Sequence, residues 1–227
     1  RAHNCKGLLE ITSLFFMPNF KLNELLELDK IYRANLINSC TGFKSANLIS
    51  TKSKDGIENV AVFSSVTHLS SNPPLLGFIL RPTTVERNTY DNLEKTGYFT
   101  VNHIHQSIIK DAHHTSASYD GDISEYSKTN LVSEYKDNFW APFVKDCPIQ
   151  IACKFINEYD IKENGCKHII GAIEHIYIGD QILSKDGWLN LEAAQTVTVN
   201  GLDAYASPKI IDRLSFSRPN ETVTSIL

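Results

Sequence analysis

The sequence predicts a mainly β protein, in which the strands of a β-barrel carry a few helical additions. Segments of alternating or wholly apolar residues recur at strand length, whereas helical spacing is confined to two or three stretches. With 227 residues, the chain is long enough for one well-buried domain and short for two. We expect a single domain over residues 17–227. Residues 1–16 differ in character and indicate an N-terminal extension, or sequence upstream of an alternative start at Met17.

The first predicted element is a helix from Asn23 to about Asn38. Asn23 is a suitable N-cap residue, and apolar side chains follow at helical spacing, namely Leu25, Leu28, Tyr32 and Leu36. A second helix is predicted to start near Thr84. Thr83 and Glu86 match a capping box there, and Gly97 follows the last turn, where glycine commonly ends a helix.

The predicted strands follow from apolar or alternating runs bounded by turn residues. They cover residues 45–51, 59–69, 75–80, 98–104, 149–156, 168–178 and 196–199. Two prolines mark a turn at Ser70–Pro74, because each removes a backbone donor and fixes a φ angle. Residues 105–138 are polar and weakly patterned, which predicts short helices and loops. Within them, Asp120, Asp122 and Glu125 indicate a solvated acidic loop.

Composition argues against several classes of protein. The net charge is -4 and no run of Lys or Arg occurs, so nucleic acid is not an expected partner. No apolar run approaches the roughly 20 residues that span a bilayer, so no membrane association is expected. The five cysteines are odd in number and form no C-x-x-C pair. Reduced thiols in a cytoplasmic protein are the simplest interpretation.

Two arginines flank the start of the second predicted helix. The N-terminus of a helix carries partial positive charge, so Arg81 and Arg87 are disfavoured there unless an anion lies between them. Guanidinium groups and first-turn N–H groups together form a phosphate site, to which Asn88 and Thr89 add polar side chains. The alternative is that both arginines are solvated or paired with carboxylates of the same helix, Glu86 or Asp91.

Other polar clusters support weaker hypotheses. Ser64 and Ser65 follow Phe63 in an otherwise apolar strand, and buried hydroxyl groups need partners, which a flat polar heterocycle or the backbone can provide. His103 and His105 are expected on one face of a strand, with His113 and His114 nearby. The spacing of these histidines does not favour a metal site, because no carboxylate stands at ligand spacing.

These segments together resemble the flavin reductase-like, FMN-binding split-barrel family. The matching motifs are ANLIST (46–51), NVAVFSS (59–65), SNPPLLGF (71–78), RP (81–82), RNT (87–89), Asn92, TVN (100–102), SEY (124–126), APFV (141–144), IGAI (170–173) and GLDAY (201–205). The resemblance covers about residues 17–218, and the order and spacing of the motifs make it specific. It implies an antiparallel split β-barrel of Greek-key type, whose dimer interface helps to form the flavin pocket.

By this resemblance, the strand from Asn59 to Ser65 lines the isoalloxazine ring and the turn at 70–74 closes one side. The implied FMN-binding residues are Asn59, Phe63, Ser64, Ser65, Ser71, Arg81, Arg87, Asn88 and Thr89. Family members often have Lys-Asp-Thr where this chain has Arg87-Asn88-Thr89. Arginine keeps the positive charge of lysine and adds further N–H donors in a planar group, so phosphate binding is expected to be retained.

The implied function is an oxidoreductase that takes hydride from NADH or NADPH onto FMN, with the flavin rather than a protein side chain carrying the chemistry. His68, His113 and His114 are candidates to border the open face of the ring. An FMN-containing electron carrier of the flavoredoxin type, a non-enzymatic flavin-binding module and an enzyme like pyridoxamine-phosphate oxidase are the alternatives. The expected partners are a second copy of the chain and an electron acceptor such as a monooxygenase.

Overall fold

The computed structural model describes residues 17–84, 87–119 and 122–227. The strands are β1 (Lys44–Ser45), β2 (Asn47–Lys52), β3 (Glu58–Phe63), β4 (Thr67–Ser71), β5 (Pro74–Leu80), β6 (Tyr98–His103), β7 (Ser133–Glu134), β8 (Phe143–Val144), β9 (Ile149–Ile161), β10 (Cys166–Ile178), β11 (Thr198–Asn200) and β12 (Ala204–Ala206). The α-helices are α1 (Leu22–Glu27), α2 (Lys30–Ser39), α3 (Asn88–Thr96) and α4 (Ile109–His114). Short 3-10 helices cover Gln106–Ile108, Glu125–Lys128 and Asp180–Ile182.

Seven strands form one antiparallel sheet that curls into an incomplete barrel. Their order is β3-β2-β6-β9-β10-β5-β4, so β3 and β4 are the two edges. In a flat sheet these edges would lie about 29 Å apart, at a spacing of about 4.8 Å per strand. Only residues 64–66 connect them, and the four steps from Phe63 to Thr67 span at most about 14 Å. The sheet must therefore bend until its edges approach, which confirms the predicted split barrel.

Residues 64–66, which we call the seam, are held to both sides of the gap. The hydroxyl of Ser65 accepts a hydrogen bond from the Ile79 N–H (3.0 Å) and donates one to the Ile79 carbonyl (3.2 Å). The hydroxyl of Ser45 donates to the carbonyl of Val66 (2.9 Å). Two side-chain hydroxyls thus attach the seam to β5 and to β1.

Aromatic rings fill the interior next to the seam. Phe63 and Phe78 meet edge to face with centroids 5.1 Å apart, and Phe78 meets Phe99 in the same way at 5.6 Å. Phe78 and Phe99 are fully buried. Gly171 of β10 lies under Phe99, where an added Cβ would stand 2.5 Å from the ring carbon Cζ. The ring therefore requires glycine at this position of the strand.

We expect Gly171→Ala to destabilise the protein by about 1–3 kcal/mol, because overpacking a filled core forces side chains and backbone to shift. Urea denaturation followed by circular dichroism measures the change. Gly179→Ala is the matched control, since Gly179 is exposed and a Cβ there meets no atom within 4 Å. Equal stabilities of the two variants would contradict the packing argument.

The predicted single helix from Asn23 to Asn38 is wrong, because two helices form. Leu28 is extended, and the carboxylate of Asp29 accepts hydrogen bonds from the N–H groups of Ile31 (2.9 Å) and Tyr32 (3.2 Å), which starts α2. The Arg33 guanidinium donates to the Leu26 carbonyl (2.7 Å) near the end of α1. The cap at Asp29 therefore outweighs the continuous apolar spacing.

The other predicted elements are largely present. The strand predicted over 59–69 divides into β3 and β4 at the seam, and β9 extends five residues beyond the predicted end, to Ile161. The polar region 105–138 forms short helices and loops as predicted, with a short hairpin of β7 and β8 that the sequence did not indicate. The proposed N-terminal segment 1–16 lies outside the described residues.

Cys40, Cys147, Cys153 and Cys166 are free, while Cys5 lies outside the described residues. Within the described ranges, the model contains no helix of the length and hydropathy needed to cross a membrane.

Candidate functional site

The helix α3 begins later than the sequence predicted. Its first residue is Asn88, and Arg87 is the N-cap residue, without a side-chain hydrogen bond to the first turn. Thr83 and Thr84 lie in a turn before the helix, so the predicted start near Thr84 and its capping box are wrong, and Glu86 is outside the described residues. The predicted end is confirmed, because Gly97 is left-handed (φ 76°) and donates to the Leu93 carbonyl.

Buried amide and hydroxyl groups fix the first turn of α3 onto the sheet. The Asn59 side chain of β3 donates to the Thr89 hydroxyl (3.1 Å), and Asn92 donates to the Thr51 hydroxyl of β2 (3.0 Å). All four side chains are buried. Thr89 and Asn59 therefore hold the N-terminus of the helix at the start of β3, and the first N–H groups of a helix have no partner within the helix.

Both arginines of the predicted anion site lie before this first turn. Arg87 is half-buried and its Nε donates to the Pro82 carbonyl (3.0 Å), while Arg81 is exposed. No carboxylate of the described residues, Asp91 included, forms a salt bridge with either arginine. Arg87 is the N-cap residue of α3 and Arg81 directly follows β5. Guanidinium groups and first-turn N–H donors are the groups that bind a phosphate.

The opposite end of β3 carries the predicted ring-binding residues. Phe63 ends the strand and packs on Phe78, while Ser64 and Ser65 begin the seam. The Ser65 hydroxyl is satisfied by the backbone of Ile79, which is the alternative considered for it from the sequence. Ser71 lies in the β4–β5 hairpin, where its hydroxyl hydrogen-bonds His68 Nε2 (3.1 Å). Asn59 and Phe63 are about 13 Å apart along the strand.

The histidines of the sequence hypothesis lie on different elements or bond to different partners. His103 ends β6, so His105 lies beyond the strand rather than on its face, and its Nδ1 hydrogen-bonds Ser107 (3.1 Å). His113 and His114 hydrogen-bond the hydroxyls of Tyr205 (3.2 Å) and Tyr119 (2.6 Å) respectively. In residues 17–84, 87–119 and 122–227, no three His, Cys, Asp or Glu side chains gather in a way that would hold a metal ion.

Glu125 was expected in a solvated acidic loop, but it is buried, with 9% of its surface exposed. Its Oε2 accepts a hydrogen bond from the Val60 N–H of β3 (3.0 Å). Burial raises the pKa of this carboxyl above its usual range, because the charged form loses hydration. Glu125 satisfies a backbone donor of an edge strand, a role that spacing in the sequence does not reveal.

A raised carboxyl pKa makes stability depend on pH. Between the unfolded pKa, about 4.3, and the higher folded pKa, the unfolded chain releases a proton that the folded protein keeps, so stability falls as pH rises through this window. Glu125→Gln keeps an oxygen acceptor and removes the charge. We expect the variant to gain stability relative to wild type as pH rises above about 4.3 in urea denaturation. The exposed Glu163→Gln serves as the control, and parallel curves for Glu125→Gln and wild type would contradict this role.

Solved structures show where this architecture recurs. A proposed flavin reductase with a split barrel domain from Shewanella frigidimarina is 41% identical, with a TM-score of 0.86 over 88% of this chain and 100% of that one. Nitrilotriacetate monooxygenase component B from Bacillus cereus shares the fold at 20% identity, with a TM-score of 0.76 over 87% and 98% of the two chains. Flavoredoxin from Desulfovibrio vulgaris shares it at 18% identity, with a TM-score of 0.64 over 78% and 91%.

A family model agrees with the structural likeness and with the resemblance found in the sequence. The model described as flavin reductase like domain matches residues 43–190, a range that includes β2 to β10, the seam and α3. The chain is a member of the flavin reductase-like domain family, and its split barrel belongs to a flavin-related oxidoreductase.

Proposed function

We propose that this protein binds FMN along β3 and catalyses reduction of the flavin by NADH or NADPH. The observation that carries the proposal is that Arg87, the N-cap residue of α3, and Arg81, directly after β5, form no salt bridge with any described carboxylate. The ribityl phosphate is assigned to these arginines and to the first turn at Asn88 and Thr89. The isoalloxazine ring is assigned to Phe63, the seam and Ser71.

The residues present suit these two parts of the cofactor. At one end, the buried bond between Asn59 and Thr89 fixes the helix N–H groups before a ligand arrives, so little ordering is needed on binding. At the other end, Phe63 offers an aromatic neighbour and the seam offers backbone polar groups beside an edge strand. The distance of about 13 Å between the ends supports the proposal, because one extended ligand can reach both.

The flavin, when bound, supplies the hydride-accepting chemistry, and the protein supplies binding, orientation and electrostatics. The arginines anchor the charged end of the cofactor. Phe63 and the seam hold the ring against the barrel and exclude water from one of its faces. The sequence contains no G-x-G-x-x-G motif, so the nicotinamide donor is assigned to the open face of the ring rather than to a dinucleotide domain.

The test is an absorption spectrum of the purified protein with FMN, before and after anaerobic addition of NADH or NADPH. A perturbed flavin band that bleaches on addition supports the reductase and identifies the donor. A perturbed band that remains oxidised favours the electron carrier or the non-enzymatic binding module. An unperturbed spectrum contradicts the proposal that FMN binds.

We further propose that the protein is a homodimer. Helices α1 and α2 have no buried residue, and they expose large apolar side chains, including Leu22 (72% exposed), Leu26 (65%) and Ile31 (70%). Apolar surface gathered in this way marks a protein interface. Light scattering is expected to give a dimer for the wild type and a monomer for Leu26→Asp combined with Ile31→Asp. A monomeric wild type would contradict this.

A further inference from the structure

A cavity of about 240 Å³ opens beside the seam end of β2. Its wall includes Asn47 of β2, His103 of β6, Thr196 and Thr198 near β11, and Phe43 and Pro208 at the rim. Clefts that enclose drug-sized ligands measure about 300–1,000 Å³. This cavity therefore suits a single small ring, or one end of a larger molecule.

Asn47 is the unusual member of this wall. Its side chain is 1% exposed, yet neither its amide nitrogen nor its amide oxygen has a hydrogen-bond partner among the described residues. Asn102, on the adjacent strand β6, shows the normal case: its amide donates to Leu48 and Thr100 and accepts from Val144. Buried polar groups without partners are rare in native proteins because they lose hydration without compensation.

The neighbours of Asn47 indicate what kind of ligand the amide would recognise. In the sheet, Asn47 pairs with Phe63 on one side and His103 on the other, so the three side chains lie on one face. Burial lowers the pKa of His103 to about 4, which leaves the imidazole neutral at physiological pH. The ammonium group of Lys44, which also lines the cavity, already donates to the carbonyls of Asn38 (3.0 Å) and Gly201 (2.9 Å). These surroundings favour a neutral, planar ligand.

We propose that Asn47 binds the amide edge of a small neutral ring, in which an N–H donor stands next to a carbonyl acceptor. The amide oxygen of Asn47 accepts from the ligand N–H and its amide nitrogen donates to the ligand carbonyl. The pyrimidinedione edge of a flavin and the carboxamide of nicotinamide both carry this pattern. Both cases rest on the proposed function, which includes the flavin and the nicotinamide donor; each ligand is titrated alone so that the two can fail separately.

The test compares wild type with Asn47→Leu, which keeps a similar volume and removes both unpartnered atoms. FMN and nicotinamide are titrated separately by calorimetry, with nicotinate as the matched ligand that lacks an N–H donor. At least one of FMN and nicotinamide is expected to bind Asn47→Leu about tenfold more weakly, the change that corresponds to about 1.4 kcal/mol. Asn157→Leu is the control variant, because it makes the same substitution at an exposed residue of β9 outside the cavity wall and is expected to leave binding unchanged.

The ligand-free proteins provide a second readout. Asn47→Leu is expected to unfold at the same urea concentration as wild type or a higher one, because it removes atoms that have no partner. A clear loss of stability would instead show that ordered water satisfies Asn47, and would overturn the proposal.

Titrating the two ligands separately distinguishes failure of the proposed function from failure of the proposal about Asn47. Weaker FMN binding alone assigns the flavin edge to Asn47, and weaker nicotinamide binding alone assigns the donor. If FMN fails to bind wild type, the proposed function fails, and nicotinamide then decides the role of Asn47. Two results would overturn the proposal about Asn47. In the first, wild type and Asn47→Leu bind every ligand with equal affinity. In the second, wild type binds neither ligand.

Discussion

Replacing Arg81 and Arg87 together by alanine is expected to weaken FMN binding about a hundredfold and riboflavin binding by less than about threefold. Charge-assisted hydrogen bonds contribute roughly 1.5–3 kcal/mol each, and a loss of about 2.7 kcal/mol corresponds to a hundredfold change in affinity. Riboflavin lacks the phosphate that these arginines are proposed to hold, so its affinity reports the ring end alone. Fluorescence titration of both ligands measures the two constants.

The control for this experiment is Arg218→Ala, which removes an exposed arginine whose nearest carboxylate is Glu221 at 3.7 Å. It is expected to leave both affinities unchanged. Equal losses of FMN and riboflavin affinity in the double variant would contradict the phosphate assignment. Such a result would mean that the arginines support the structure of the ring pocket and do not bind the phosphate.

The second large effect is expected at Asn102, whose buried amide connects three parts of the barrel. It donates to the Leu48 carbonyl of β2 (3.2 Å) and the Thr100 hydroxyl (2.9 Å), and its oxygen accepts from the Val144 N–H of β8 (3.0 Å). Asn102→Ala leaves these groups unsatisfied and opens a cavity. Since each unsatisfied buried group costs about 1–3 kcal/mol, we expect a loss of about 3 kcal/mol or more.

Urea denaturation of Asn102→Ala beside Asn157→Ala provides the measurement. Asn157 lies exposed on β9, and its substitution is expected to change stability by less than about 0.5 kcal/mol. A similarly small change at Asn102 would mean that water replaces the amide after truncation. In that case the contact between β6 and β8 would not depend on this side chain.

The long strands of the seven-stranded sheet were predictable because each is a local pattern of apolar residues between turn signals, whereas the two-residue strands β7 and β8 carry no such pattern. Gly97 was predictable for a similar reason, since it meets the need for a left-handed residue after α3. The divided strand at the seam was not, because Ser64 and Ser65 break the pairing only when the sheet bends far enough to bring Ile79 close. That approach depends on all seven strands together.

Within the candidate site, spacing along the chain located the arginines but not the start of α3. The Thr83–Glu86 pattern suggested an earlier start, whereas the contacts that fix the first turn come from Asn59 of another strand. The burial of Glu125 and Asn47 could not be predicted from the sequence for the same reason. Their burial is set by segments distant in the chain, near Val60 for the first and beside His103 for the second.

The seam is expected to make amide hydrogen exchange in the barrel sensitive to ligand binding. The Ile79 N–H donates to the Ser65 hydroxyl of the seam, so local opening of the seam frees this amide for exchange. A ligand that binds only the closed form shifts the opening equilibrium by mass action. Amide hydrogen exchange at Ile79 should therefore slow as FMN saturates the protein. Exchange of one amide beside the seam would then report cofactor binding without any optical signal from the cofactor.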